Sequence, residues 1–211
     1  MTILKASKLT LAEVERLLNL QAQYDGSFAD NLLLERLTEA EQQELTQIRD
    51  DFWPYLRGKK ALEGQVRLIT LAPLLRLAGF YRSPIQIRVE EDIERIYIEN
   101  EDQIITGQFD IIAVNKTSSS AMDADFWVLV IETKRSELNA FEGLPQLLTY
   151  AYRSLVDRGM VWGLATNGMH YQFVRLQKGN PATYQYMPML NLFESESAVA
   201  LLQVLKAICQ L

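Results

Sequence analysis

Apolar residues recur at helical spacing through the first third of the chain and at every second position in its middle. Thr10-Leu11-Ala12-Glu13 and Thr38-Glu39-Ala40-Glu41 both read as capping boxes, a hydroxyl N-cap with Glu three residues on. The first predicts a helix to about Tyr24. The second predicts a helix carrying Leu45, Ile48 and Phe52, ended or kinked at Trp53-Pro54. A third helix is expected from about Lys60 to Leu77, with Leu62, Val66, Ile69, Leu74 and Leu77 on its apolar side and Gly79 as its stop.

Beyond Gly79 the period shortens to that of strands. Ile85, Ile87 and Val89 alternate, Arg95 to Ile98 suits a short strand, and Gln103 to Asn115 reads as one long strand with Gly107 marking a bulge or close approach. Lys116 to Asp125 is a polar loop. Phe126 to Ile131 is an unbroken apolar run, as in a strand buried on both faces. A helix is expected from Leu138 to about Val156, with Pro145 in its first turns. Strands Met160–Thr166 and Tyr171–Leu176 follow around Asn167-Gly168, and a last helix starts at Ser195 or Ser197. This order predicts an α/β fold with a mixed central sheet flanked by helices. Residues 60–211 would form the core domain, and residues 1–59 an N-terminal helical extension.

Composition narrows the function. The chain has 211 residues, 48% hydrophobic and 23% charged, enough for one ordinary globular core. It contains no apolar run long enough to span a membrane. The opening residues lack a signal-peptide pattern. Cys209 is the only cysteine, so neither an internal disulfide nor a cysteine zinc cluster can form. A cytoplasmic protein with no membrane partner is expected. His170 is the only histidine and sits beside a turn, so carboxylates, Lys or Tyr are left to carry chemistry. Trp53, Trp127 and Trp162 are expected in the core. The net charge of −6 is uneven: residues 63–125 hold six basic against eleven acidic side chains, and residues 126–178 hold six against four. The acidic run from Glu90 to Asp102 would repel DNA, whereas Arg135, Arg153, Arg158, Arg175 and Lys178 are candidate phosphate contacts.

The apolar run ends in Glu132-Thr133-Lys134. Glu132 and Lys134 are two apart and share a face of the strand. A carboxylate and an ammonium at the end of a buried strand are costly unless they pair or bind something. Asp110 is an acid inside the preceding apolar strand. If the strands are neighbours, Asp110 and Glu132 converge on one cation, and two carboxylates suit Mg²⁺.

Asp110, then Glu132-Thr133-Lys134 after a hydrophobic strand, resembles the PD-(D/E)XK, restriction-endonuclease-like nucleases. Gln146-Leu147-Leu148-Thr149-Tyr150 on the following helix is similar to the Gln-x-x-x-Tyr motif of RecB-like nucleases and of the N-terminal nuclease domain of type I restriction R subunits. The resemblance covers about residues 60–176, and Phe109 stands where the family name has Pro. It implies a restriction-endonuclease-like core and hydrolysis of DNA phosphodiesters with Mg²⁺ or Mn²⁺. Asp110 and Glu132 would be metal ligands with the Thr133 carbonyl, and Glu63 a further acidic candidate on the preceding helix. Lys134 would be the catalytic lysine, with Gln146 and Tyr150 supporting the site or the DNA backbone. No Gly-x-x-x-x-Gly-Lys-[Ser/Thr] phosphate loop accompanies these motifs, so no attached motor is expected. The expected partners are DNA and, for a domain with no motor, other protein subunits or a second copy of the chain. The competing expectation is a catalytically silent relative acting as a binding or assembly subunit.

Overall fold

The computed structural model describes residues 2–58, 60–98, 101–116, 126–155 and 159–211, with the backbone alone for 126–128. Most of the polar loop Lys116–Asp125, the Trp127 side chain and Arg158 therefore lie outside the described residues. Seven strands form the path of the main sheet, in the order β2 (Leu20–Gln23), β10 (Ala182–Tyr186), β9 (His170–Gln177), β8 (Met160–Thr166), β7 (Phe126–Thr133), β6 (Ile111–Asn115) and β3 (Ile85–Val89). A short β11 (Leu190–Asn191) also pairs with β9. The pairs β7–β8 and β2–β10 are parallel and the others antiparallel, so the sheet is mixed. A second, three-stranded sheet runs β1 (Thr2–Lys5), β5 (Gln103–Thr106), β4 (Ile96–Ile98).

Both faces of the main sheet are covered. Along β6 and β7, Ile111, Ala113, Leu129 and Ile131 enter one apolar cluster, while Ile112, Val114 and Val130 enter the other. The first face packs on α2 (Glu39–Gly58), α4 (Ala72–Ala78) and α6 (Ser195–Cys209). The second packs on α1 (Leu11–Leu18) and α5 (Leu144–Leu155). A strand buried on both faces needs apolar residues at every position, which explains the unbroken run in β7. No helix among the described residues is long and apolar enough to cross a membrane.

Several elements differ from the sequence expectation. The N-terminal region is not an all-helical extension. It supplies β1 to the small sheet and β2 to an edge of the main sheet, and Leu45 and Ile48 of α2 enter the main core. Helix α1 stops at Leu18, because Asn19 turns left-handed (φ 49°) and releases the chain into β2. Its capping box forms as expected, the Thr10 hydroxyl accepting from Glu13 N at 3.3 Å and the Glu13 carboxylate accepting from Thr10 N at 2.8 Å. Pro54 does not end α2, which runs on to Gly58. Trp53 lies 48% exposed on that helix, whereas Trp162 is buried as expected.

The third helix is interrupted. A short α3 (Glu63–Val66) leads into a π-turn (Arg67–Leu71) and then α4. Pro73 has no N–H to offer Ile69, and Ala72 N reaches back five residues to the Arg67 carbonyl. The expected strand Gln103–Asn115 is two strands, β5 and β6, in different sheets. Gly107 lies in the gap. A Cβ there would stand 2.8 Å from Tyr150 Cε1, 2.9 Å from its hydroxyl oxygen and 3.1 Å from Ala6 Cβ, so the close approach expected at this glycine is present. Gly107→Ala should destabilise the fold by about 1–3 kcal/mol, through overpacking against a buried ring. Urea unfolding measures this, and an unchanged midpoint would mean that Tyr150 can retreat without loss.

Candidate metal and active site

The site forms where β7 leaves the sheet. Ile111 of β6 is level with Ile131 of β7, so one residue further along brings Asp110 level with Glu132. Side chains opposed in this way have Cβ atoms about 4.5–5.5 Å apart. The next strand, β8, runs parallel to β7 and is reached through α5, which lays Gln146 and Tyr150 over the same end. A cleft of about 700 Å³ opens here, and Asp110, Glu132, Lys134, Gln146, Tyr150 and Glu63 all line it. Thr133 binds Asp110 directly. The sequence-predicted residues are thus brought together.

Two hydrogen-bonded groups meet in the cleft. In the first, Lys134 Nζ donates to Glu132 Oε1 at 2.7 Å and to Gln146 Oε1 at 2.9 Å, and Gln146 Nε2 donates to the Tyr150 hydroxyl oxygen at 3.1 Å. Gln146 and Tyr150 are one helical turn apart, which lets them act together. In the second, Asp110 Oδ2 accepts from Thr133 N at 2.6 Å and from Thr133 Oγ1 at 2.5 Å. Arg67 closes this group. Its Nη2 donates to Asp110 Oδ1, its Nε to Thr133 Oγ1 and its Nη1 to Glu90 Oε1, each at 2.8 Å.

Arg67 and Glu90 were missed in the sequence. The available signal was the pair Glu63 and Arg67, four apart on one helical face, with Arg67 the only basic residue between Lys60 and Arg76. In the structure Arg67 Nη2 and Glu63 Oε2 are 4.0 Å apart. Glu90 carries a left-handed backbone (φ 52°), a conformation that costs energy for a residue with a side chain. It is fixed from three sides: Glu90 N donates to the Asp110 carbonyl at 3.1 Å, Gln108 Nε2 donates to the Glu90 carbonyl at 2.6 Å, and Arg67 takes the carboxylate. Two of the expected phosphate contacts have partners within the chain. Arg153 is paired with Glu94, and Arg175 Nη2 donates to Gln177.

Glu132 is 2% exposed, and its Oε2 has no hydrogen-bond partner among the described residues. Gly143, in the 3₁₀ turn before α5, roofs it so closely that a Cβ there would lie 3.1 Å from Glu132 Cγ. Burial, and then the charge of Asp110, push the Glu132 carboxyl up to about 8, against the opposing pull of Lys134. Burial likewise pushes the Tyr150 hydroxyl up to about 12, leaving it a neutral hydrogen-bonding group at physiological pH.

These donors fit a hard, oxygen-preferring divalent cation. Glu132 Oε2 is a buried oxygen without a partner among the described residues, and Asp110 stands level with Glu132 across the strands. Among the described residues no cluster of three or more Asp, Glu, His or Cys side chains converges on one point. The site offers two carboxylates, the coordination that Mg²⁺ accepts while keeping several waters. Comparison with known proteins gives no matching family model and no matching curated protein.

The raised Glu132 carboxyl has a consequence for stability. The folded chain binds this proton more tightly than the unfolded chain, so without metal ions stability should fall as pH rises from about 4.5 to about 8 and level off above. The slope approaches about 1.4 kcal/mol per pH unit within that window. Urea unfolding in EDTA of the parent and of Glu132→Gln isolates the effect. The variant should lack this component, and parallel pH profiles would show that Glu132 is already ionised in the fold.

Proposed function

We propose that the chain is a divalent-metal-dependent nuclease of the PD-(D/E)XK type, hydrolysing DNA phosphodiester bonds, and that its mixed sheet is the core of a restriction-endonuclease-like fold. The observation that carries this reading is the buried, unpartnered Glu132 Oε2 beside Asp110, with Lys134 held next to it by two acceptors. Asp110 and Glu132 would hold the cation, with the Thr133 carbonyl as a further oxygen and Glu63 at the rim. A cation bound there supplies charge neutralisation and Lewis acidity toward a phosphate.

The chain's own groups perform the rest. Lys134 is aimed by Glu132 and Gln146, so its ammonium can donate to an attacking water or to a phosphate oxygen without reorganising. Gln146 is fixed in turn by Tyr150, which makes the pair a positioning unit behind the lysine. Thr133, through its backbone N–H and hydroxyl, holds Asp110 in one orientation.

One observation favours a second reading, a silent subunit of an assembly. Arg67 already neutralises Asp110, as a structural ion pair would. Incubating plasmid and linear single- and double-stranded DNA with Mg²⁺ or Mn²⁺ separates the two. The parent should cleave, and Asp110→Asn and Lys134→Met should each lower the rate by about 10²-fold or more while remaining folded. Cleavage that survives both substitutions would place the chemistry elsewhere. A parent that neither binds Mn²⁺ nor cleaves DNA would favour the silent reading.

A further inference from the structure

We infer that Arg67 stands where a second cation would sit, so that the site takes one divalent ion and not two. The inference rests on the metal-site reading above and deepens it.

The side chains in direct contact fall into two halves. Glu132 and Lys134 belong to one, and Asp110, Glu90 and Glu63 surround Arg67 in the other. The first half holds a buried orphaned oxygen: Glu132 Oε2 belongs to a residue lining the cleft and has no partner among the described residues. In the second half every carboxylate is within 4.0 Å of Arg67, and Asp110 Oδ1 is bonded to the guanidinium at 2.8 Å. The halves therefore differ in what they lack. On the Glu132 side a buried oxygen stays open to a ligand beside the Lys134 ammonium, and on the Arg67 side the guanidinium already occupies the Asp110 oxygen.

Without Arg67, Asp110 and Glu90 lose the donor they share, and Glu63 loses the cation 4.0 Å away. Acceptors stripped of a cationic donor in a partly buried place cost free energy until another cation satisfies them. Arg67 is also well placed to stay. Its side chain is 22% exposed, three of its nitrogens are bonded, and the π-turn that begins at this residue sets its direction. A guanidinium is always charged, so this surrogate persists at any working pH.

The test is Mn²⁺ titration of the full chain by calorimetry, with the bound ion counted by electron paramagnetic resonance. The parent should bind one ion, Arg67→Lys one, and Arg67→Met two, with spin coupling between them. A parent that binds two ions overturns the inference and leaves the metal site standing. Arg67→Met that still binds a single ion also overturns it. A parent that binds no Mn²⁺ overturns the metal-site reading itself. Should Arg67→Met fail to fold, the parent and Arg67→Lys still decide, because two ions in either would show that the guanidinium is no surrogate.

Discussion

The Glu132 carboxylate lies at the end of a strand whose preceding residues are apolar, under the roof that Gly143 allows. A charge in that place is tolerated only with compensation, and one ammonium contact leaves an oxygen unsatisfied. The neighbouring groups answer this cost. Lys134 must remain close, which requires Gln146, and Gln146 is held by a tyrosine so tightly packed that Gly107 has no room for a methyl group. A buried ion pair of this kind adds little to stability against an apolar replacement. Its presence in the core is in keeping with the proposed role in metal binding.

The same region joins the two sheets. Leaving β5 at Thr106 and entering β6 at Ile111, the chain passes from the small sheet to the large one, and Asp110 sits at the end of that crossing. Glu90, at the end of β3, turns left-handed beside it. Arg67 ties both to Thr133 of β7. One guanidinium thus fastens the ends of three strands. Packing under each face of the sheet fixes where those strands end, to within the rigidity of a close-packed interior.

What could be read in the sequence follows from the range of each signal. Helical and strand periods are local, so α1, α2, α5, α6 and the strands β3, β4, β7, β8 and β9 could be anticipated, as could the grouping of Asp110, Glu132 and Lys134. Strands β1 and β2 escaped because each is four residues long and pairs with a partner far away in the chain, and β10 escaped because Ala182–Tyr186 carries no clear apolar alternation although it pairs with the neighbouring β9. The split of Gln103–Asn115 between two sheets escaped for a related reason: the hydrophobic pattern continues through Gly107 although the pairing partner changes. Of the two outcomes expected at Pro54, the helix does not end there but runs on to Gly58. Arg67 was hidden by its neighbourhood, since a basic residue four after a glutamate is an ordinary feature of a solvated helix. Its role depends on Glu90, Asp110 and Thr133, which sequence separation conceals.

The π-turn at Arg67–Leu71 makes the site sensitive to chain length as well as residue identity. A helix advances about 100° per residue, so the extra residue accommodated in that turn sets which side of α3 faces the cleft. Excising one residue between Leu68 and Leu71 would keep every charged group in the chain and could leave α4 seated on the sheet. It would still swing Glu63 and Arg67 about a quarter-turn around the helix axis. The arrangement of charges is thus encoded by a count of residues, and divergence by a single codon's loss could dismantle it without altering any residue that touches the cleft.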